Sequence, residues 1–333
     1  MKAMILAAGL GTRMKPFTDR YPKPILPILN IPVIYYVISI LHKAGISEIM
    51  INLHHLPDTI KSCINSLDKM DAEFNFSYEE NILGTGGGLW SVQKFFSDET
   101  FVLINSDIVI DIDLNMVIET HKHADALATM VLRKDPRARQ YGSIGLNREN
   151  KVRRILDCNP ENSNPETETM FTGVHILEPS VFSQFPQQVS TFDIIRQVYI
   201  PMLKQDEHIQ GYIHEGFWAD IGTPQRYLET NIKLLKYSIT EKTGITELAC
   251  KLLARMNSRG TGDYKIVSPV LYDDKCEFGS GCKIGPNVII GKNSAIGEKS
   301  VVENSVIFHN TIIPARSSFS NCIICNDEIF CIS

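Results

Sequence analysis

The sequence predicts an α/β protein: a mixed sheet covered by helices, followed by a short parallel β-helix. Three observations carry this. Apolar strands alternate with amphipathic helices through the first third, the pattern of a parallel sheet with helices on both faces. Beyond residue 125 the order of elements becomes mixed. From Ile266 onward the apolar period becomes six, the signature of hexapeptide repeats that stack into a parallel β-helix. The 333 residues accordingly divide into a domain over 1–239, a polar connector over 240–263 and a repeat domain over 264–333.

The elements follow in order. Lys2–Leu6 is the first strand and leads into a glycine-rich turn. Pro32 suits the first turn of a helix reaching Lys43, with Ile34, Val37, Ile38 and Leu41 on one face and Gly45 closing it. A strand Glu48–Leu53, a helix over Pro57–Leu67 and a strand Phe74–Tyr78 come next. Gly84–Phe96 reads as a second glycine-rich loop feeding a helix N-terminus, a position suited to anions. Phe101–Ile104 is a wholly apolar strand ending in Asn105-Ser106-Asp107. Strands are then expected at Ala126–Leu132, Val152–Leu156 and Thr172–Leu177. A helix Phe192–Leu203 and a strand Ile209–Ile213 follow. Thr223 caps a helix Pro224–Lys236. In the repeats, Ile266, Tyr272, Phe278, Ile284, Ile290, Ile296, Val302 and Phe308 recur every six residues, with small or apolar residues four positions later, Ile312 being the last.

Composition excludes several classes. A net charge of -5 argues against chain-wide binding to nucleic acid, which needs a basic surface to displace counterions. The longest apolar runs fall short of the ~20 residues of a membrane span, so no membrane association is expected. Met1–Ala8 ends at Gly9 and is too short for a secretory signal. A cytoplasmic protein follows, with its eight cysteines as reduced thiols. Cys322-x-x-Cys325 has no second pair at zinc spacing and reads as packing. His54-His55 is an unpromising metal pair, because neighbours in an extended chain point to opposite sides.

Chemistry concentrates in the turn Leu6-Ala7-Ala8-Gly9-Leu10-Gly11-Thr12-Arg13. Glycine removes Cβ, so backbone N–H groups can approach an anion closely. Arg13, Lys15, Arg20 and Lys23 add four positive charges within eleven residues. In open α/β sheets ligands sit beyond the carboxyl ends of the strands, where both Gly9–Arg13 and Asp107 fall.

The run Leu6–Lys23, the loop Gly84-Thr85-Gly86-Gly87, the strand ending at Asp107, Thr172-Gly173 and the stretch Trp218–Pro224 resemble the sugar-1-phosphate nucleotidyltransferases. With the repeats, the chain is most similar to mannose-1-phosphate guanylyltransferase-like NDP-sugar synthases, which implies a Rossmann-like nucleotidyltransferase domain and a left-handed β-helix. The resemblance implies an enzyme that joins an NTP to a sugar 1-phosphate and releases pyrophosphate, GTP and mannose 1-phosphate leading over UTP or dTTP. It implies catalytic roles for Arg13, Lys23 and Asp107, nucleotide contacts from Leu6–Gly9, Gly11, Thr12 and Gly84–Gly87, and Mg²⁺ held by Asp107 and Asp220. Two carboxylates suit this hard cation, which keeps its remaining positions for water and phosphate. Tyr141, Gly142, Asp157, Thr172 and Gly173 resemble the sugar-binding pieces. The β-helix is expected to be an assembly or regulatory module, with a homo-oligomer formed through it.

One departure stands out. Many relatives carry Glu-Lys-Pro, whose lysine grips the sugar phosphate, where this chain reads Asp157-Cys158-Asn159-Pro160. Arg153, Arg154 or a cation recruited by the loop Asn159–Thr169 is expected to substitute, or else the protein binds nucleotide without turning it over.

Overall fold

The computed structural model describes residues 1–67, 71–96, 98–136, 138, 142–160, 165–187, 191–240, 263–273 and 275–332. The chain packs as two compact units, one formed by Met1–Leu10 with Val37–Trp218 and the other by Gly11–Tyr36 with Ala219–Ser333. Most of the expected connector lies outside the described residues.

In the first unit Lys2–Leu6 is a central strand, parallel to Glu48–Leu53 on one side and Phe101–Asn105 on the other, with Glu73–Tyr78 parallel at the edge. Ala3, Met4, Ile5 and Phe101 to Ile104 are fully buried, as a strand covered on both faces requires. The sheet turns antiparallel at Thr167–Leu177, which pairs with Phe101–Asn105, Ala128–Arg133 and Ser143–Leu146. Ile209–Ile213 lies parallel to Ala128–Arg133. This is the mixed sheet the sequence predicts. The sequence reading passes over the strands Ile108–Ile110 and Ser143–Leu146 and the helix Leu114–Ala124, whose Asp113 cap accepts from Asn115 N. The second glycine-rich stretch is itself helical over Gly84–Ser91 and tightens to a 3₁₀ turn at Gln93–Phe96. The predicted helix after Phe192 contains a π turn, Ile195–Tyr199, ahead of Ile200–Lys204.

In the second unit the helix Pro224–Thr240 begins after Thr223, whose Oγ1 accepts from Arg226 N at 3.3 Å. The repeats form three parallel sheets, the faces of a β-helix. Lys265 pairs with Lys283 and Lys283 with Val301, 18 positions apart, but Val301 pairs with Ser318, 17 apart. The six-residue period therefore holds through Val302 and then slips by one. Ile307, not Phe308, aligns with Ile290 in the coil interior, and Ile313 is buried while Ile312 is 74% exposed. A slip of one residue turns every following side chain to the other face, so Phe308 and Ile312 leave the positions the repeat assigns them.

The last coil is closed by an antiparallel hairpin, Cys322–Cys325 with Glu328–Cys331. Cys322 and Cys331 are cross-strand partners with Cα atoms 4.0 Å apart and form a disulfide, which corrects the expectation of reduced thiols for this pair. Cys325 is a free, fully buried thiol, and the packing role predicted for it stands; burial pushes its pKa up to about 11. Among the described residues no helix is long and apolar enough to cross a membrane.

Candidate functional site

Leu6 lies in register with Asn52 and Asn105 at the carboxyl ends of three parallel strands. The glycine-rich turn and Ser106-Asp107 thus leave the sheet from one edge, and Ser106 N donates to Leu6 O at 3.1 Å. Ala7 N donates to Asn52 Oδ1 at 2.7 Å, Asn52 Nδ2 donates to Glu79 Oε1 at 2.7 Å, and Glu79 Oε2 accepts from Leu83 N at 2.8 Å. Both side chains are buried. This relay ties the first glycine-rich turn to the residue preceding Gly84. Sequence reasoning missed Asn52 and Glu79, although a lone amide inside the apolar strand Glu48–Leu53 was a visible signal.

The glycines differ in their reasons. Gly11 has φ +66°, and a Cβ there would meet Thr18 Cγ2 at 2.9 Å and Lys23 Cγ at 3.1 Å. Its carbonyl accepts from Met14 N and Thr18 Oγ1, which fixes Thr12–Met14 as a 3₁₀ turn. Gly9 adopts no left-handed φ, and a Cβ on it would meet nothing within 4 Å. Leu6, Ala7 and Ala8 precede it, the two alanines buried.

The second stretch is filled by the protein itself. A Cβ on Gly84, at φ +74°, would lie 2.5 Å from the Phe192 carbonyl oxygen, and one on Gly86 would strike the Phe192 ring. The N–H groups of Gly86 and Gly87 both point at that carbonyl, at 3.0 and 3.4 Å. Thr85 Oγ1 donates to Asp193 Oδ2 and accepts from Ile194 N. Two of the four backbone donors expected to meet a nucleobase are therefore engaged within the fold.

On the side expected to hold sugar, Tyr141 lies outside the described residues. Thr172 is buried, its hydroxyl donating to Val131 O at 2.7 Å and its carbonyl accepting from Trp218 Nε1 at 2.8 Å. Gly173, at φ +96°, sits where the strand Thr167–Leu177 shifts register, and its missing Cβ makes room for the Asn105 amide. Gly142, at φ +95°, makes room for Leu156 in the same way. Leu156-Asp157 form a tight turn closed by paired hydrogen bonds between Ile155 and Cys158, with Asp157 exposed and Cys158 packed against the core. Arg154 Nη2 donates to Glu168 Oε1 at 2.8 Å and to Ser143 Oγ at 3.2 Å. Arg153 and Lys151 both pair with Asp206.

In the second unit Arg13 and Asp220 converge on Gly222: a Cβ there would lie 2.7 Å from Asp220 Oδ2 and 3.3 Å from Arg13 Nη2. Asp220 Oδ2 also accepts from Arg226 Nη1 at 2.8 Å. The stem of Lys23 packs on Gly11, which brings it to the same basic turn. Among the described residues no group of three or more His, Cys, Asp or Glu is arranged to hold a metal. Asp107 in the first unit and Asp220 in the second each carry carboxylate oxygens, the donor type that suits a hard cation such as Mg²⁺. His54 Nδ1 donates to the Glu79 carbonyl at 2.8 Å, a structural role.

Residues 2–237 match the Nucleotidyl transferase family, and residues 266–329 match the GMPPB C-terminal domain. The chain is 31% identical over 240 residues to a UTP–glucose-1-phosphate uridylyltransferase of Synechocystis sp., a match covering 68% of this chain and 61% of that one. It is 28% identical over 239 residues to a mannose-1-phosphate guanylyltransferase of Mycobacterium tuberculosis, covering 70% of this chain and 64% of the relative. These matches thus span less than two thirds of either relative's length. Among solved structures, HddC from Yersinia pseudotuberculosis aligns with a TM-score of 0.59 at 24% identity, over 70% of this chain and 99% of that one, a likeness of fold.

Proposed function

We propose, from the premise that the chain belongs to the nucleotidyl transferase family, that it transfers a nucleoside monophosphate from an NTP to a sugar 1-phosphate. A phosphate oxygen of the sugar attacks the α-phosphorus in line, the bond to the β-phosphate oxygen breaks, and pyrophosphate leaves. GTP with mannose 1-phosphate is the leading pair. The observation that carries it is the family match over 2–237 followed by the GMPPB C-terminal domain over 266–329.

The chemistry asks the protein mainly to place and neutralise negative charge. Gly9, bare and uncrowded, leaves the backbone at that point of the first turn open to phosphate oxygens, and the N–H groups of Gly11 and Thr12 are the donors assigned beside it. Arg13 offers planar, paired donors to the leaving pyrophosphate, and Lys23 adds a point charge. Asp107 and Asp220 are the carboxylates offered to Mg²⁺, which when bound neutralises phosphate charge and polarises the α-phosphate. The backbone around Gly84 and Thr85 faces the base. Gly142, Asp157, Gly173 and Arg154 belong to the sugar-phosphate side, with Tyr141. Assembly of like chains through the β-helix is part of the same reading.

A second substrate pair, UTP with glucose 1-phosphate, is favoured by the Synechocystis relative at 31% identity. A binding protein without turnover is favoured by Cys158, which packs on the core at the position where many relatives have a lysine. Pyrophosphate release from five NTPs against a panel of sugar 1-phosphates decides among the three. Release with GTP and mannose 1-phosphate above all other pairs is the expected result; nucleotide binding with no release from any pair overturns the enzymatic reading.

A further inference from the structure

The basic segment that carries Arg13 and Lys23 does not stand on its own. Phe17, fully buried, stacks on Phe308 of the β-helix at a centroid distance of 5.8 Å, and Tyr21 meets the same ring edge-on at 5.5 Å. Tyr227 of the helix Pro224–Thr240 completes the cluster at 6.0 Å. Farther along, Asn30 Nδ2 donates to the Ile290 carbonyl of the β-helix at 2.9 Å. Asn231 Oδ1 accepts from Leu29 N at 2.9 Å, and the Tyr227 hydroxyl donates to Pro27 O. All of these residues belong to the second unit.

Phe308 is free to act this way because of the shortened coil. Had the 18-residue advance continued, its ring would have entered the coil interior. The advance of 17 places Ile307 there and turns Phe308 outward, where it is nonetheless only 1% exposed. A large aromatic leaves a repeat interior at little cost only where another apolar surface receives it, and here the receiving surface is the stretch between Arg13 and Lys23.

We infer that the β-helix is a positioning element for the phosphate-binding segment: Phe308, seated between Phe17 and Tyr21 and assisted by Asn30 on Ile290, holds Arg13 and Lys23 in register for the nucleotide. The inference rests on the reading of Arg13 and Lys23 given above. Phe308 is a positioning residue in this reading, acting through the rings it meets, those of Phe17, Tyr21 and Tyr227. The repeat domain then bears on turnover within one chain, beyond any part in assembly.

The test is steady-state pyrophosphate release by the full-length chain carrying Phe308→Ala, Phe308→Leu or Asn30→Gly, alongside Arg13→Ala, with thermal unfolding of each. Glycine suits position 30 because Asn30 has φ +62°. Misplacing a binding segment by a fraction of an ångström costs about tenfold. Phe308→Ala is expected to lower kcat/KM for the NTP by about that factor at temperatures where it is fully folded. Phe308→Leu restores most of the loss, and Asn30→Gly shows a smaller loss of the same kind. A purely structural role lowers the unfolding temperature and leaves KM unchanged. Folded Phe308→Ala with parental kcat/KM overturns the inference; if that variant does not fold, parental values for both Phe308→Leu and Asn30→Gly do so. Arg13→Ala separates the two levels. Should it also retain parental kcat/KM, the functional reading of the basic segment falls; should it alone lose activity, only the inference about Phe308 falls.

Discussion

The two glycine-rich stretches look alike in the sequence and are built for different purposes. Around Gly84 the absent side chains are replaced by the protein's own atoms: the Phe192 carbonyl occupies the place of one Cβ and the Phe192 ring the place of another. At Gly9 nothing occupies it. The first set of glycines is demanded by packing, whereas Gly9 answers to no neighbour in the fold. A glycine with no internal reason to be glycine is the better pointer to a ligand.

This contrast is sharpest in paired substitutions. Gly84→Ala places a Cβ 2.5 Å from a backbone oxygen at φ +74°, and is expected to destabilise the protein by about 3 kcal/mol, read as a lowered denaturant midpoint. A change below about 0.5 kcal/mol would show that the stretch is not held by Phe192. Glu79→Ala comes next. It strips the acceptor from Asn52 Nδ2 and Leu83 N, two donors in the relay that joins the stretches, and is expected to cost about 2 kcal/mol. Glu79→Gln, whose amide accepts through one oxygen only, should lose less. Equal stability of all three proteins would remove the relay as a link.

Gly9→Ala is the converse of Gly84→Ala. Stability should stay within about 0.5 kcal/mol of the parent, while kcat/KM for the NTP falls about tenfold as the methyl group stands between the backbone and the phosphates. Unchanged kinetics would return Gly9 to the status of an ordinary turn residue.

Much of this was legible in the sequence, for identifiable reasons. The strands Lys2–Leu6 and Glu48–Leu53 and the helix Val33–Lys43 fall where periodicity places them, because each buries an apolar pattern of the right period. The repeat was readable through Val302, where each coil keeps its length. What escaped were features set by partners distant in sequence. The Asn52–Glu79 contact exists only once two parallel strands align. The Thr172 hydroxyl is consumed by a strand 41 positions away. Phe308 fits the six-residue pattern by coincidence, since a single missing residue in the coil preceding it is invisible to a period count. The basic segment's attachment to the β-helix was hidden for the same reason.

The smallest effect is expected where the contrast between engaged and open groups recurs, at Arg154. Sequence reasoning offered this arginine as a stand-in for the lysine that Cys158 replaces, but its guanidinium already pairs with Glu168 at 2.8 Å with 21% of the side chain exposed. A paired cation keeps part of its charge for a phosphate, yet must loosen one contact to make another, and partly exposed pairs of this kind are worth under about 1 kcal/mol. Arg154→Ala is therefore expected to raise KM for the sugar phosphate about threefold and leave KM for the NTP unchanged. Glu168→Gln, which removes the carboxylate charge paired with the guanidinium, should move the first constant in the opposite direction. Equal changes in both constants would place Arg154 outside the sugar-phosphate side and leave that half of the chemistry to other residues.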